Sequence, residues 1–241
     1  MFHAEKSRDL LIEWLREMVN NAKANGVIFG LSGGIDSAVV AGLAKIAFPS
    51  TSLGVIMPCH SHPQDKEDAL LVARAIDLTT EEVDLGPSFD YLIETTGVDP
   101  KSMAAHNLKP RLRAASLSLI GQSKGYLVLG CSNGAEWYTG YFTKFGDSAA
   151  DLLPIARLVK SEVREMARLL GIPDKIISKV PTAGLWDGQT DEDELGITYD
   201  DLDNFILTGT GNRKAIEIIE EFHQKSTHKR QMPPMGPVVR G

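Results

Sequence analysis

Val27-Ile28-Phe29-Gly30-Leu31-Ser32-Gly33-Gly34-Ile35-Asp36-Ser37 passes from an apolar run with β-branched and aromatic residues into a stretch whose apolar positions recur at helical spacing. That is a strand, a glycine turn and a helix N-terminus. Two adjacent glycines allow backbone angles that a side chain forbids, so several N–H groups can converge on one anion while the helix dipole adds partial positive charge. Phosphate is the natural ligand. Ser32 and Ser37 supply hydroxyls, and Asp36 is available to Mg²⁺. No Gly-Lys-Ser/Thr follows a four-residue spacer, so this is not a Walker A loop, and the Rossmann glycine spacing is absent.

Outward from this turn, strand and helix patterns alternate. Leu10, Leu11, Trp14, Leu15 and Met18 mark a first helix. Strand patterns at Val27–Leu31, Leu53–Met57, Glu81–Leu85 and Tyr126–Leu129 are separated by helical patterns at Ile35–Phe48, Gln64–Ile76, Phe89–Thr95 and one long stretch from Met103 to Ser123. Further helices are predicted at Lys160–Leu170, Tyr199–Leu207 and Asn212–Lys225, and Pro233, Pro234 and Pro237 predict an extended tail. Such alternation predicts an α/β fold, a doubly wound parallel sheet with helices on both faces, in a single domain over residues 1–241. In such sheets the ligand lies beyond the carboxyl ends of the strands, so the loop after Leu129 should face the same crevice as Ser32–Ser37.

Composition narrows the class of function. The chain of 241 residues carries a formal net charge of −7, which argues against a general nucleic-acid surface. No segment approaches the ~20 uninterrupted apolar residues of a membrane span, and the amphipathic, acid-bearing first twenty residues do not read as a signal peptide. A cytoplasmic protein with no membrane partner is the expectation. Cys59 and Cys131 belong to no CxxC pair or His-containing cluster with metal spacing, so no structural zinc site is expected.

The Ser32–Ser37 hexapeptide resembles the SGGxDS pyrophosphate loop of the ATP pyrophosphatase superfamily, which cleaves ATP between the α and β phosphates. From Gly130 to Asp203 the chain resembles the ammonia-dependent NAD synthetases more specifically. The matching residues are Glu136, Thr139 to Asp147, Asp151, Pro154, Lys160, Pro181 to Trp186, Gln189 to Gly196 and Tyr199, with His228-Lys229-Arg230 near the end. The resemblance covers about nine tenths of the chain and implies an adenine nucleotide alpha hydrolase-like fold. It also implies the reaction: amidation of deamido-NAD to NAD through a nicotinyl-adenylate, with ATP as co-substrate, ammonia as nitrogen donor, and AMP and pyrophosphate released.

Residue roles follow from that resemblance. Ser32, Gly33, Gly34, Asp36, Ser37, Lys160, Thr182, His228 and Lys229 are the expected ATP contacts, and Asp36 with Glu136 the expected Mg²⁺ ligands. Lys160, Asp147 and Thr182 are the expected catalytic residues, Asp147 as the base that strips a proton from ammonium. Asn107, Arg111, Lys144, Asp147 and Asp151 are expected to hold deamido-NAD. Asn107 and Arg111, four apart, can share a helix face, whereas Arg113 cannot join them, and Pro110 should bend the helix or sit near its start. Trp186 to Gly196, acidic and polar, is expected to order as a lid over ATP that keeps water from the adenylate. The family forms homodimers, so a homodimer is expected, and a chain of this length leaves no room for a nitrilase-like glutaminase domain.

Met18 and Ser118 stand where many members carry tyrosines that hold the pyridine ring, and Cys131 where they carry threonine. These departures touch the dinucleotide pocket and leave the adenylation residues in place. A tRNA-modifying pyrophosphatase needs a basic surface and usually a reactive cysteine pair, neither of which this chain has. A non-catalytic nucleotide-binding protein is the other reading, supported only by the aromatic departures.

Overall fold

The computed structural model describes residues 2–181 and 191–239. Ala4–Asn21 forms α1, which buries Ile12, Leu15 and Val19 on one stripe. Gly26–Gly30 is β1, Ile35–Ala47 α2, Ser52–Ile56 β2, Pro63–Ala75 α3 and Thr80–Glu82 β3. Gly86–Thr96 (α4), Met103–His106 (α5) and Leu108–Lys124 (α6) lead to β4 at Tyr126–Val128. Gly134–Thr139 (α7), Lys160–Leu169 (α8), Asp174–Ile177 (α9), Asp191–Leu195 (α10), Tyr199–Thr208 (α11) and Arg213–Lys225 (α12) follow, and a 3-10 turn spans Thr227–Lys229.

Among the described residues the sheet has the order β3-β2-β1-β4 and every pairing is parallel, with Ile28 opposite Leu53 on one side and Val128 on the other. β1 and β2 read as unbroken apolar runs because a parallel sheet buries both faces. β3 carries Glu81 and Glu82 on the outer edge, where charge discourages pairing with another chain. Alternation along β1 feeds two cores: Val27 and Phe29 pack with α1, α2, α3 and α8, while Ile28 packs with Phe89, Ala105 and Leu117 of α4, α5 and α6. A third cluster, around Tyr199, Leu202 and Ile219, joins α7, α10, α11 and α12 into a helical annex.

Two sequence expectations change. The single helix from Met103 to Ser123 is two helices, because Ser102 caps the short α5 and Asn107 ends it. Pro110 then falls in the first turn of α6, where its missing N–H has no intrahelical acceptor to lose. The described part of the acidic stretch expected as a lid is helical: it forms α10, whose Asp191 and Leu195 are buried.

The connections through α2 and α3 carry the chain outward from β1 to β3, and the return to β4 crosses to the other side of β1. The direction of winding therefore reverses between β1 and β4. The loops leaving these two strands open a crevice at that switch point, as doubly wound sheets do.

Candidate active site

The β1–α2 turn needs its first glycine for both shape and room, while its second meets neither constraint within the fold. Gly33 has φ +81°, and a Cβ there would lie 2.5 Å from the Asp65 carbonyl oxygen and 2.8 Å from Asp68 Cβ on α3. Gly34 adopts φ −91°, and its added Cβ would meet only Ser32 Oγ, at 3.4 Å. Two hydroxyls brace the turn from inside: Ser37 Oγ donates to the Gly34 carbonyl at 3.0 Å, lies 3.0 Å from Ser32 Oγ and accepts the Ser32 N–H at 3.2 Å. The loop is preorganised, so binding an anion there does not have to order it first.

α3 supports the loop from behind. Its Asp68, buried to 1% exposure, receives Lys179 Nζ at 2.8 Å, Lys175 Nζ at 2.7 Å and Gln64 Nε2 at 3.0 Å. Burial would raise the Asp68 pKa, but these donors hold it below the ordinary aspartate value.

Opposite the loop stands a buried lysine. Lys160 opens α8 with its side chain 1% exposed, and Nζ lies 2.6 Å from Asp36 Oδ2. Burial alone would lower its pKa, yet Asp36 and Glu136 hold it above the ordinary lysine value. The other Asp36 oxygen accepts from Asn133 Nδ2 at 3.0 Å. Asn133 is also the N-cap of α7: its Oδ1 accepts the Glu136 N–H at 3.0 Å, and Glu136 Oε2 accepts the Asn133 N–H at 3.2 Å. One capping box thus ties α7, Asp36 and Glu136 together. Burial and the neighbouring Asp36 push the Glu136 carboxyl well above its usual range, with Lys160 opposing them.

α10 and α11 close the lysine in from the far side. Asp203 caps α8 from another element, its two oxygens accepting the Lys160 N–H at 2.9 Å and the Ser161 N–H at 2.7 Å. The Tyr199 ring lies under the ammonium, 4.9 Å from Nζ to centroid, and its hydroxyl donates to Asp191 Oδ2 at 2.8 Å. Asn133 and Asp203 carry no expected role in the sequence, Asp191 appears there only within the expected lid, and Tyr199 only as a resemblance. The one local signal is Tyr199 and Asp203, four apart on an amphipathic helix and both buried.

Asn107, Arg111, Lys144, Asp147, His228 and Lys229 form a second group beside this one. Thr143 Oγ1 donates to Asn107 Oδ1 at 2.8 Å; Arg111 donates to the carbonyls of Asn107 and Lys144, each at 3.3 Å; Lys144 Nζ donates to the His228 carbonyl at 2.6 Å. Asp147 Oδ1 accepts the Thr143 N–H at 2.8 Å. Neighbouring atoms crowd Asp147 while one face stays open to water, and this burial pushes its carboxyl above the ordinary aspartate value despite the opposing charges of Lys229 and Arg113. Lys229 Nζ donates to the carbonyls of Gly140 and Phe142, both at 2.7 Å, so it braces the loop that carries Asp147.

Arg113 lies apart from Arg111, its guanidinium donating to the Met57 carbonyl and Ser61 Oγ beyond β2. Asp151 is used in the fold: one carboxylate oxygen accepts the Val128 N–H at 2.7 Å at the end of β4. Thr182, and residues 186–190 of the expected lid, lie outside the described residues.

A phosphate cradle, a buried lysine and two mutually repelling carboxylates at a switch point fit an ATP-cleaving ligase, and the comparisons agree. The family model described as NAD synthase matches residues 8–233. The chain belongs to the NAD synthase family. Among its relatives, the NH(3)-dependent NAD(+) synthetase of Carboxydothermus hydrogenoformans is 47% identical over 95% of this chain and 96% of that protein. The protein of the same name from Finegoldia magna is 49% identical over 96% and 95%. Two solved structures resemble it closely. An NMN synthetase from Francisella tularensis superimposes with a TM-score of 0.94 at 37% identity, covering 99% of this chain and 100% of that one. An NH3-dependent NAD synthetase from Campylobacter jejuni gives a TM-score of 0.81 at 28% identity, covering 98% and 100%.

Three residues depart from the pattern that the sequence resemblance gives. Met18 is half-buried on α1, Ser118 half-buried on α6, and Cys131 follows β4 with its thiol pushed upward by burial and by Asp36 and Glu136.

Proposed function

We propose that this chain is a ligase that amidates the nicotinate carboxyl of deamido-NAD, using ATP and ammonia and releasing AMP and pyrophosphate. The observation that carries the reading is Lys160, a fully buried ammonium held on Asp36 directly across from a preorganised phosphate loop. A carboxylate is a poor acylating agent because oxide leaves badly. Its oxygen attacks the α-phosphorus of ATP, the bond to pyrophosphate breaks, and the resulting mixed anhydride has AMP as a good leaving group.

Charge accumulates on the departing pyrophosphate. The loop at Ser32, Gly33, Gly34 and Ser37, and the ammonium of Lys160, stabilise it in a site poor in water, each such contact contributing on the order of a few kcal/mol. Asp36 and Glu136 suit Mg²⁺. Burial and the neighbouring Asp36 penalise the Glu136 charge, and a divalent cation offsets both effects. Among the described residues no group of three or more His, Cys, Asp or Glu could hold a metal ion, so on this reading water and phosphate oxygens would have to complete the shell. When bound, the ion supplies further neutralisation of the triphosphate.

Ammonia then attacks the acyl carbon and AMP leaves. Asp147, with its raised pKa and open face, accepts the proton that ammonium must lose. Asn107, Arg111 and Lys144 are placed to hold the dinucleotide beside it, and Thr182 stays assigned to the reacting phosphate on resemblance. His228 and Lys229, expected at the ATP phosphates, belong on this reading to the Asp147 loop. We assign the whole chain to one ATP pyrophosphatase domain, acting as a cytoplasmic homodimer. Among the described residues no helix is long and apolar enough to cross a membrane.

A second reading changes the acid. The higher TM-score belongs to a protein titled NMN synthetase, and Met18 and Ser118 replace tyrosines associated with the dinucleotide pocket. Nicotinate mononucleotide presents the same carboxyl to the same adenylating machinery. The test gives the protein ATP, Mg²⁺, ammonium and either acid, and measures AMP and amide product. We expect AMP and NAD in equal amounts, with kcat/KM higher for deamido-NAD. A higher value for the mononucleotide transfers the assignment to the second reading, and AMP without either amide sinks both.

A further inference from the structure

Beyond Asp36 and Glu136, Lys160 has two further neighbours that the chemistry above does not use. One is the Tyr199 ring; the other is Asp191, which fixes that ring through the 2.8 Å hydrogen bond from the Tyr199 hydroxyl. Both are interior groups, Tyr199 at 1% and Asp191 at 4% exposure. Asp191 is expensive for the fold: Oδ1 has no hydrogen-bond partner among the described residues, and a half-satisfied carboxylate in the interior is a net cost. Its backbone N–H is anchored to the Pro181 carbonyl at 3.2 Å, and the Tyr199 N–H to Glu192 Oε1 at 2.8 Å, so the pair is held from both sides. Asp203, one turn beyond Tyr199, holds the backbone of the same lysine. α10 and α11 therefore grip Lys160 at both ends, by its N–H and beneath its ammonium.

This arrangement matters because, on the reading above, Asp36 also serves the cation, which competes with the lysine for it. The ammonium has three donors, and the one that Asp36 takes at 2.6 Å leaves two for phosphate oxygens. Once it turns to the nucleotide, it needs a surface that holds it without competing as a hydrogen-bond acceptor, and an aromatic face does that. We propose that Tyr199, fixed by Asp191, is a positioning residue that keeps the Lys160 ammonium at the reacting phosphate during adenylation.

The proposal rests on the ligase reading, and its test has one arm that does not. Lysine ε-protons near an aromatic face resonate upfield, so ligand-free protein with 13C-labelled lysine should show a shifted signal that Lys160→Arg removes, distinct from those of Lys109, Lys144 and Lys229, which also lie over rings. Tyr199→Phe should retain the signal and Tyr199→Leu should lose it. In AMP formation, Tyr199→Leu should lower kcat at least 30-fold while the KM for ATP changes less than 3-fold. Tyr199→Phe, which keeps the ring and loses the tether, should recover kcat to within about 5-fold of the parent. A Tyr199→Leu protein that lacks the signal but keeps its kcat overturns the proposal and leaves the ligase reading intact. Equal losses in the Phe and Leu variants also overturn it, since they place the effect on the hydroxyl and not on the ring. If the parent turns over neither acid, it is the ligase reading that fails, and a shifted signal absent from the parent removes the ring contact itself.

Discussion

Gly33 and Gly34 are adjacent and look alike in sequence, yet they meet different constraints. Alanine at 33 must take a left-handed angle, costing roughly 1–2 kcal/mol, and its Cβ collides with the backbone of α3. Alanine at 34 meets no such obstacle in the fold, but places a methyl group in the cradle. Thermal unfolding and ATP titration separate them: Gly33→Ala should lose stability outright, while Gly34→Ala should unfold within about 0.5 kcal/mol of the parent and bind ATP at least tenfold more weakly. A stable Gly33→Ala protein would contradict the packing described. Asp147 gives the pH prediction. Its pKa is raised, so the charged base is lost as pH falls through a value above the ordinary aspartate range, and the acid limb of the amidation rate should lie there. Asp147→Asn should abolish that limb along with most of the rate. A limb that persists in the Asn variant assigns the proton transfer elsewhere.

Elements differ in how openly the sequence states them. β1, β2 and α2 are legible because burial on both faces makes the strands continuous apolar runs, and the helix pattern begins at the glycines. α7 and α9 are too short, at six and four residues, to show a period. The Asn107 break is hidden because helix-compatible residues run through it, and only the paired caps around α5 mark it. β4 is the instructive case. Its three residues are completed by Asp151, which takes the Val128 N–H, and by Leu152, which bridges to Leu129. The sequence resemblance makes Asp151 a substrate ligand, whereas this bond gives it work in the sheet. Asp151→Ala leaves an orphaned strand N–H and should destabilise the protein by about 1–3 kcal/mol in urea unfolding. A large rise in the KM for the acid substrate, with stability unchanged, would return Asp151 to the binding site.

At the scale of the whole molecule, the phosphate loop is legible because it is local: six consecutive residues carry the turn, the hydroxyls and the helix start. The surroundings of Lys160 are not. Asp36, Glu136, Asp191, Tyr199 and Asp203 come from four helices, α2, α7, α10 and α11, that only the crossover between β1 and β4 and the packing of the annex bring together. Nothing in their spacing along the chain announces the meeting. The central claim is that this assembly transfers the adenylyl group of ATP to a pyridine carboxylate, and oxygen bookkeeping tests it directly. With deamido-NAD labelled with 18O in both carboxylate oxygens, the attacking oxygen stays with phosphorus when ammonia displaces AMP. Mass spectrometry should find one 18O in each AMP and the other in the amide product. Unlabelled AMP, formed at the same rate as the amide, would contradict the account.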